Sequence, residues 1–384
     1  MLSICHVTHV FSTKRYFPKG EWMYHLSRRG HRVYIVSCKL PGQPSYEKIG
    51  SLRIFRLPAR FLYRLRYPMI DPVKLAYFLR RMVSKYGVQA IHFKGIEWLT
   101  SAASLFTEGI PKALTIVGIP GVNWFYGTRV IDSIGFLYSH TIGRVLLGSV
   151  DKIVVRSKRI AVFLRRLGVP PKKIHVLVRG IDEDRFTNLD VNSLRATLRP
   201  ALGFCEKDVV VLFVGRLEPM KGINYLLKIA QIIPRMNASV KFLIVGYGSL
   251  ESLVRRAAHD NPNIRFLGFR RDVPQLMAIS DILVLPSISE AFPLVIIEAG
   301  FVGLPVVTTD VGAIPDIIKD GETGIIVPRG DVDSLIEAIL LLANDPNLRK
   351  EFSERHRREI MTKYRWERLI VDYERFFYDL AALH

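Results

Sequence analysis

Apolar positions along this chain fall in short runs, separated by longer stretches with helical spacing. Val209-Val210-Val211-Leu212-Phe213-Val214 is uninterrupted and rich in β-branched residues, as in a parallel strand buried on both faces. Further runs near Val240, Ile264, Ile282, Val306 and Ile325 repeat it. Residues 1 to about 185 also alternate strand-like with helix-like segments, whereas 188–208 is polar and contains proline. Residues 366–382 carry Leu369, Ile370, Tyr373, Phe376, Phe377 and Leu380 on one helical face. The pattern predicts an α/β chain with a first domain over 1–187, a linker over 188–208, a second doubly wound domain over 209–362 and a terminal helical segment over 363–384.

A length of 384 residues accommodates two domains of ordinary size, and 49% hydrophobic residues supports two full cores. Cys5, Cys38 and Cys205 form neither a zinc spacing nor a disulfide framework, and read as free thiols in a reducing compartment. The first residues lack a charged segment followed by an apolar core, and no uncharged apolar stretch approaches the roughly 20 residues of a spanning helix. The expectation is a cytoplasmic protein, with a peripheral station on the cytoplasmic membrane face as its extension.

Two loops carry the candidate chemistry. The run at 209–214 leads into Gly215-Arg216-Leu217-Glu218-Pro219-Met220-Lys221-Gly222 and then into a helical stretch. Arg216 and Lys221 are thereby held on a strand-to-helix loop, at the sheet edge where open α/β folds bind ligands. A guanidinium can grip phosphate oxygens in bidentate fashion, and an ammonium acts as a point charge. A solvated basic loop is the competing reading. Further on, Ser289-Glu290-Ala291-Phe292-Pro293-Leu294-Val295-Ile296-Ile297-Glu298-Ala299 places two carboxylates around an apolar run. Proline suits a first helical turn, which predicts a buried helix from near Phe292, with Glu290 at its mouth and Glu298 inside it. A glutamate among isoleucines needs a partner, and ligand hydroxyls would serve. An ordinary amphipathic helix with one solvated glutamate would show the same residues.

Taken together the two motifs resemble the retaining nucleotide-sugar glycosyltransferases of family 4, whose GT-B fold sets two Rossmann-like domains facing each other across a cleft. The likeness extends to Cys5-His6-Val7-Thr8-His9-Val10-Phe11, to a loop with Gly20 and Glu21, to Gly180-Ile181-Asp182 with Phe186, and to Val311-Gly312-Ala313-Ile314-Pro315-Asp316 and Asp320-Gly321-Glu322-Thr323-Gly324. The resemblance implies a hexosyltransferase-type enzyme. Arg216, Lys221 and Glu290 would be catalytic, and Gly20, Gly268, Phe269, Phe292, Pro293, Leu294 and Glu298 would join them in holding a UDP- or GDP-sugar. Arg216 and Lys221 would neutralise the diphosphate, Glu298 would hold the ribose hydroxyls and Glu290 would face the sugar. Cations preorganised at a departing diphosphate stabilise the transition state without a metal. No metal site and no cofactor beyond the sugar nucleotide are expected, since Asp182-Glu183-Asp184, the nearest approach to a metal-binding acidic pair, reads as a turn.

One departure stands out. Family members usually carry a histidine at the end of a strand in the first domain, and here that position is Val117, in Thr115-Ile116-Val117-Gly118. His92 could reach the same space, or could be a structural histidine. A GT-B fold also serves sugar-nucleotide epimerases, and the loss of the histidine keeps open a non-catalytic nucleotide-sugar-binding protein on the same scaffold.

Charge is divided unevenly. Residues 1–200 contain 33 Lys+Arg against 11 Asp+Glu, and residues 201–384 contain 22 against 24. The excess lies in the domain that the resemblance assigns to the acceptor. Residues 53–67 interleave Arg53, Arg56, Arg60, Arg64 and Arg66 with aromatics and leucines, a composition suited to an anionic bilayer or a lipid-linked glycan. A nucleic acid would use the same forces but is the less favoured partner. A solvated loop and helix in a basic protein is the plain alternative.

Overall fold

The computed structural model describes residues 1–11, 21–62, 67–95, 99–119, 129–186 and 189–383. Gly20, Arg64 and Arg66, named above, lie outside the described residues. The chain divides into two compact units, one of residues 1–180 with 366–384 and one of residues 181–365.

The first unit is built on β1 (Ser3–Val10), α1 (Trp22–Arg28), β2 (Arg32–Cys38), β3 (Tyr46–Ile49), β4 (Leu52–Leu57), β5 (Arg60–Leu62), β6 (Tyr67–Met69), α2 (Pro72–Tyr86), β7 (Ala90–Lys94), β8 (Lys112–Ile116), α3 (Arg129–His140), α4 (Ile142–Gly148), β9 (Lys152–Val155), α5 (Lys158–Arg166) and β10 (Ile174–Val176). Eight strands form one sheet in the order β10-β9-β8-β7-β1-β2-β4-β3, parallel except for β3. Its inner strands β1, β2, β7, β8 and β9 are buried along almost their whole length because both faces are covered. One face packs with α2, through Leu75, Leu79 and Met82, and with Leu146 and Leu164. The other receives Trp22 and Leu26 of α1 together with the chain's last helix, through Leu369, Tyr373, Phe377 and Leu380. Short polar caps fix the helix starts: the Asp71 carboxylate accepts from the amides of Val73 and Lys74, and the Ser157 hydroxyl accepts from Ile160.

The second unit runs α6 (Val191–Ala201), β11 (Val209–Val214), α7 (Ile223–Met236), β12 (Val240–Val245), α8 (Glu251–Asp260), β13 (Ile264–Phe266), α9 (Val273–Ala278), β14 (Ile282–Leu285), α10 (Leu294–Val302), β15 (Val306–Thr309), α11 (Ile314–Ile317), β16 (Ile325–Val327), α12 (Val332–Asn344) and α13 (Pro346–Lys363). The last helix, α14 (Trp366–Ala381), belongs to the first unit. The second sheet is wholly parallel, in the order β13-β12-β11-β14-β15-β16. Counting strands within the unit, this is 3-2-1-4-5-6, the doubly wound order whose direction reverses between the first strand and the fourth.

Two expectations need correcting. The stretch 188–208 is not an extended linker: it holds α6, whose Arg195 and Arg199 both pair with Asp281 at the foot of β14, at 2.8 and 2.5 Å. Polar composition misled there, because these arginines are ion-paired against the second unit rather than solvated. The described residues of 53–67 likewise do not form a uniform basic surface. Their first half is β4, where alternate side chains turn inward. Arg56 is buried, donating to Glu47 at 2.6 Å and to the carbonyls of Pro44 and Phe11 at 3.3 and 3.4 Å. Arg53 and Arg60 remain exposed.

Candidate functional site

The switch point of the second sheet lies between β11 and β14, and the loops leaving those two strands are tied together. The amides of Ile288 and Ser289 donate to the Met220 carbonyl, at 2.8 and 3.2 Å. Gly222 sits in the left-handed region at φ 69°, and a Cβ there would fall 1.8 Å from the Pro286 carbonyl oxygen. Only glycine satisfies both conditions. A third loop, after β15, closes on the same place. Gly312 has φ 56°, and a Cβ on it would lie 1.9 Å from the Glu290 carbonyl oxygen.

The Lys221 ammonium donates to Glu290 Oε1 at 2.5 Å, and the Ser287 hydroxyl donates to the same oxygen at 2.8 Å. Glu290 is only 6% exposed, so its carboxylate depends on these donors. Ser287 is held in turn, its carbonyl accepting from the Thr309 hydroxyl at 2.6 Å. Arg216 stands apart from this pair on the same loop as Lys221. It is exposed, and its guanidinium makes a weak contact to the Met220 sulfur at 3.4 Å.

The remaining expected residues fall around this centre. Helix α10 begins at Leu294, with Pro293 at its cap and Phe292 before it, so it starts two residues later than the proline rule places it. Pro293 takes an extended ψ of 98°. Glu298 is half-buried on α10 and is engaged within the fold. Gly268 and Phe269 follow β13, with Gly268 at φ 65°, and the exposed Phe269 ring meets Tyr247 edge-on at 5.7 Å. Tyr247 and Ser287 escaped the sequence reading. The pattern Gly246-Tyr247-Gly248 at the end of a strand was the available signal for the first, and Ser287 had none.

In the first unit, Val117 directly follows β8 and offers no ring nitrogen. His92 does not replace the missing histidine. It is buried, with Nδ1 against His6 Nδ1 at 2.8 Å and Nε2 against the Thr115 hydroxyl at 2.6 Å. Trp22 meets both imidazoles edge-on, at 5.4 and 5.3 Å. Burial, then the positive charges of Lys94 and Arg156, hold His6 neutral, with a pKa lowered to about 3. Burial and His6 itself push His92 well below the ordinary range. Nearby, Glu21 pairs with Arg179 at 2.8 Å; burial raises its carboxyl pKa, but Arg179, Lys94 and Arg156 outweigh that and lower it overall.

Among the described residues no three His, Cys, Asp or Glu side chains cluster as metal ligands, and no helix is long and apolar enough to cross a membrane. Asp182 precedes a single turn in which Glu183 pairs with Arg365 at 3.3 Å.

Residues 195–359 match the profile "Glycosyl transferases group 1" and residues 21–185 match "Glycosyltransferase Family 4". The chain belongs to this glycosyltransferase family and is a transferase enzyme with the GT-B fold. It is 29% identical to N-acetyl-alpha-D-glucosaminyl L-malate synthase of Bacillus anthracis over 92% of this chain and 91% of that one. It is 31% identical to UDP-Gal:alpha-D-GlcNAc-diphosphoundecaprenol alpha-1,3-galactosyltransferase of Escherichia coli, over 47% of this chain and 48% of that one. Among solved structures, sucrose-phosphate synthase from Thermosynechococcus elongatus superposes over all of both chains with a TM-score of 0.80 at 21% identity.

Proposed function

We propose that the protein is a retaining, metal-independent hexosyltransferase that moves a sugar from a nucleoside-diphosphate sugar, UDP-linked in the first instance, onto a lipid-linked or membrane-associated glycan. The observation that carries this reading is the meeting of Lys221 and Glu290 at the switch point, with the exposed Arg216 beside them.

In this reading Arg216 receives the diphosphate from solvent. Lys221, already drawn in by Glu290, turns part of its charge toward the β-phosphate as the anomeric bond lengthens. Charge that grows there is met by groups already in place, the form of stabilisation with the largest effect in enzyme sites. The Glu290 carboxylate sets the position of Lys221, and Glu298 accepts from the ribose hydroxyls. The two cations carry the charge neutralisation. Retention follows from the family likeness, and the lipid-linked acceptor from the named substrate of the E. coli relative together with the basic first half of the chain.

The test is release of free nucleoside diphosphate from UDP-, GDP- and ADP-sugars, with and without lipid extract, followed by the anomeric configuration of the product. Acceptor-dependent UDP release with a retained anomer, unaffected by EDTA, is the expected result. Interconversion of the sugar on an intact nucleotide would instead identify an epimerase, and binding without either reaction would identify a binding protein.

A further inference from the structure

Helix α3 is turned inside out. A surface helix ordinarily buries its large apolar residues and exposes its polar ones. Here Gly135 and Ser139 face inward, while Val130, Ile134, Phe136 and Leu137 face out. The next helix buries Leu146 and Leu147 in the ordinary way but adds Ile142 and Val145 to the exposed apolar residues. These six side chains are each between 50 and 71% exposed, within two short consecutive helices. At the end of α3 three polar side chains lie against its own backbone. Ser139 Oγ donates to the Gly135 carbonyl at 2.8 Å and Thr141 Oγ1 to the Leu137 carbonyl at 2.7 Å, while His140 Nδ1 lies 2.9 Å from the Phe136 carbonyl.

We infer that the exposed face of α3 and α4 inserts into the interfacial layer of an anionic lipid bilayer. Charge selects the bilayer over a second copy of the chain. This face belongs to the half carrying 33 Lys+Arg against 11 Asp+Glu, so pairing two such faces brings two strongly basic bodies together, whereas an anionic surface attracts them. Arg144 is exposed between Ile142 and Val145, where its stem can lie along the acyl boundary and its guanidinium can reach lipid phosphates. The face lies on α3 and α4 rather than on residues 53–67, where sequence composition pointed. The inference rests on the proposed membrane-associated acceptor, to which it would bring the enzyme.

The experiment is sedimentation of the full chain with phosphatidylglycerol-containing vesicles and with pure phosphatidylcholine vesicles, beside size-exclusion chromatography. Wild type is expected to sediment with the anionic vesicles and far less with the neutral ones. The double change Ile134→Glu and Leu137→Glu, at exposed helical positions, is expected to cut the partition coefficient at least tenfold while melting temperature and UDP affinity stay unchanged. Val145→Glu on the second helix gives an independent reading in the same direction. Wild type that ignores anionic vesicles, or variants that sediment like wild type, would overturn the inference. A wild-type dimer that the double change converts to monomer would overturn it in favour of a second copy. Vesicle binding without any nucleotide-sugar turnover would leave this surface standing and count against the transferase reading alone.

Discussion

Lys221 and Glu290 stand 69 positions apart in the chain, yet their side chains meet at 2.5 Å where the direction of the second sheet reverses. The pairing changes what substitution at each should do. Arg216→Ala removes an exposed cation and is expected to lower kcat/KM by about 3–4 kcal/mol of transition-state stabilisation with little effect on folding. Lys221→Ala should show a similar kinetic loss and also destabilise the fold, because it strands a buried carboxylate; removing one partner of a buried pair costs about 3–5 kcal/mol. Urea titration of both variants separates the effects. Equal stability of the two would mean that the ion pair does not persist in solution.

Glu298 is assigned to the ribose. Glu298→Gln keeps the shape and weakens the acceptor, so the affinity for UDP and for UDP-sugar should fall together by about one to two orders of magnitude. Calorimetry showing unchanged affinity would make Glu298 a structural residue of α10.

Gly222→Ala tests the closeness of the two loops. A left-handed φ costs a side-chain-bearing residue about 1–3 kcal/mol, and the added Cβ also collides with the Pro286 carbonyl. A marked fall in melting temperature and loss of UDP binding are expected. A variant that binds UDP like wild type would show that the loops separate more freely than the geometry indicates.

Stability should depend on pH through buried histidines in both units. Burial, with Lys94 and Arg156, lowers His6 to about 3, and burial lowers His356 to about 4, against roughly 6.5 for a histidine in the unfolded chain. Above pH 6.5 both states hold these rings neutral, and stability is complete. As pH falls toward 4 the unfolded chain takes up protons that the folded one refuses, so stability declines by roughly 1.4 kcal/mol per pH unit for each such histidine. Urea midpoints measured from pH 7.5 to 4.5 should fall accordingly, and a flat profile would contradict the buried, neutral assignment.

Much of this arrangement was legible in the residues, for physical reasons that differ from place to place. The run at 209–214 is apolar throughout because β11 is buried on both faces, and the turn chemistry after it marks a strand-to-helix loop. Arg56 was misread because period-two alternation within β4 was overridden by the basic, aromatic look of the whole segment. His92 could not be placed because its partners, His6 and Thr115, lie on neighbouring strands far away in sequence. The contact of Lys221 with Glu290 was hidden for the same reason: separate loops meet only once the strand order is known. Helix α6 was missed because its arginines serve Asp281 rather than solvent.

The central claim is that the loops after β11 and β14 hold a diphosphate. It is tested most directly by calorimetric titration of UDP, GDP and ADP, each beside its nucleoside, into wild type and Arg216→Ala in the presence of EDTA. At least one diphosphate should bind wild type about a hundredfold more tightly than its nucleoside, and Arg216→Ala should remove most of that difference while leaving nucleoside affinity unchanged. Equal binding of nucleoside and diphosphate by wild type, or an advantage that survives Arg216→Ala intact, would contradict the assignment.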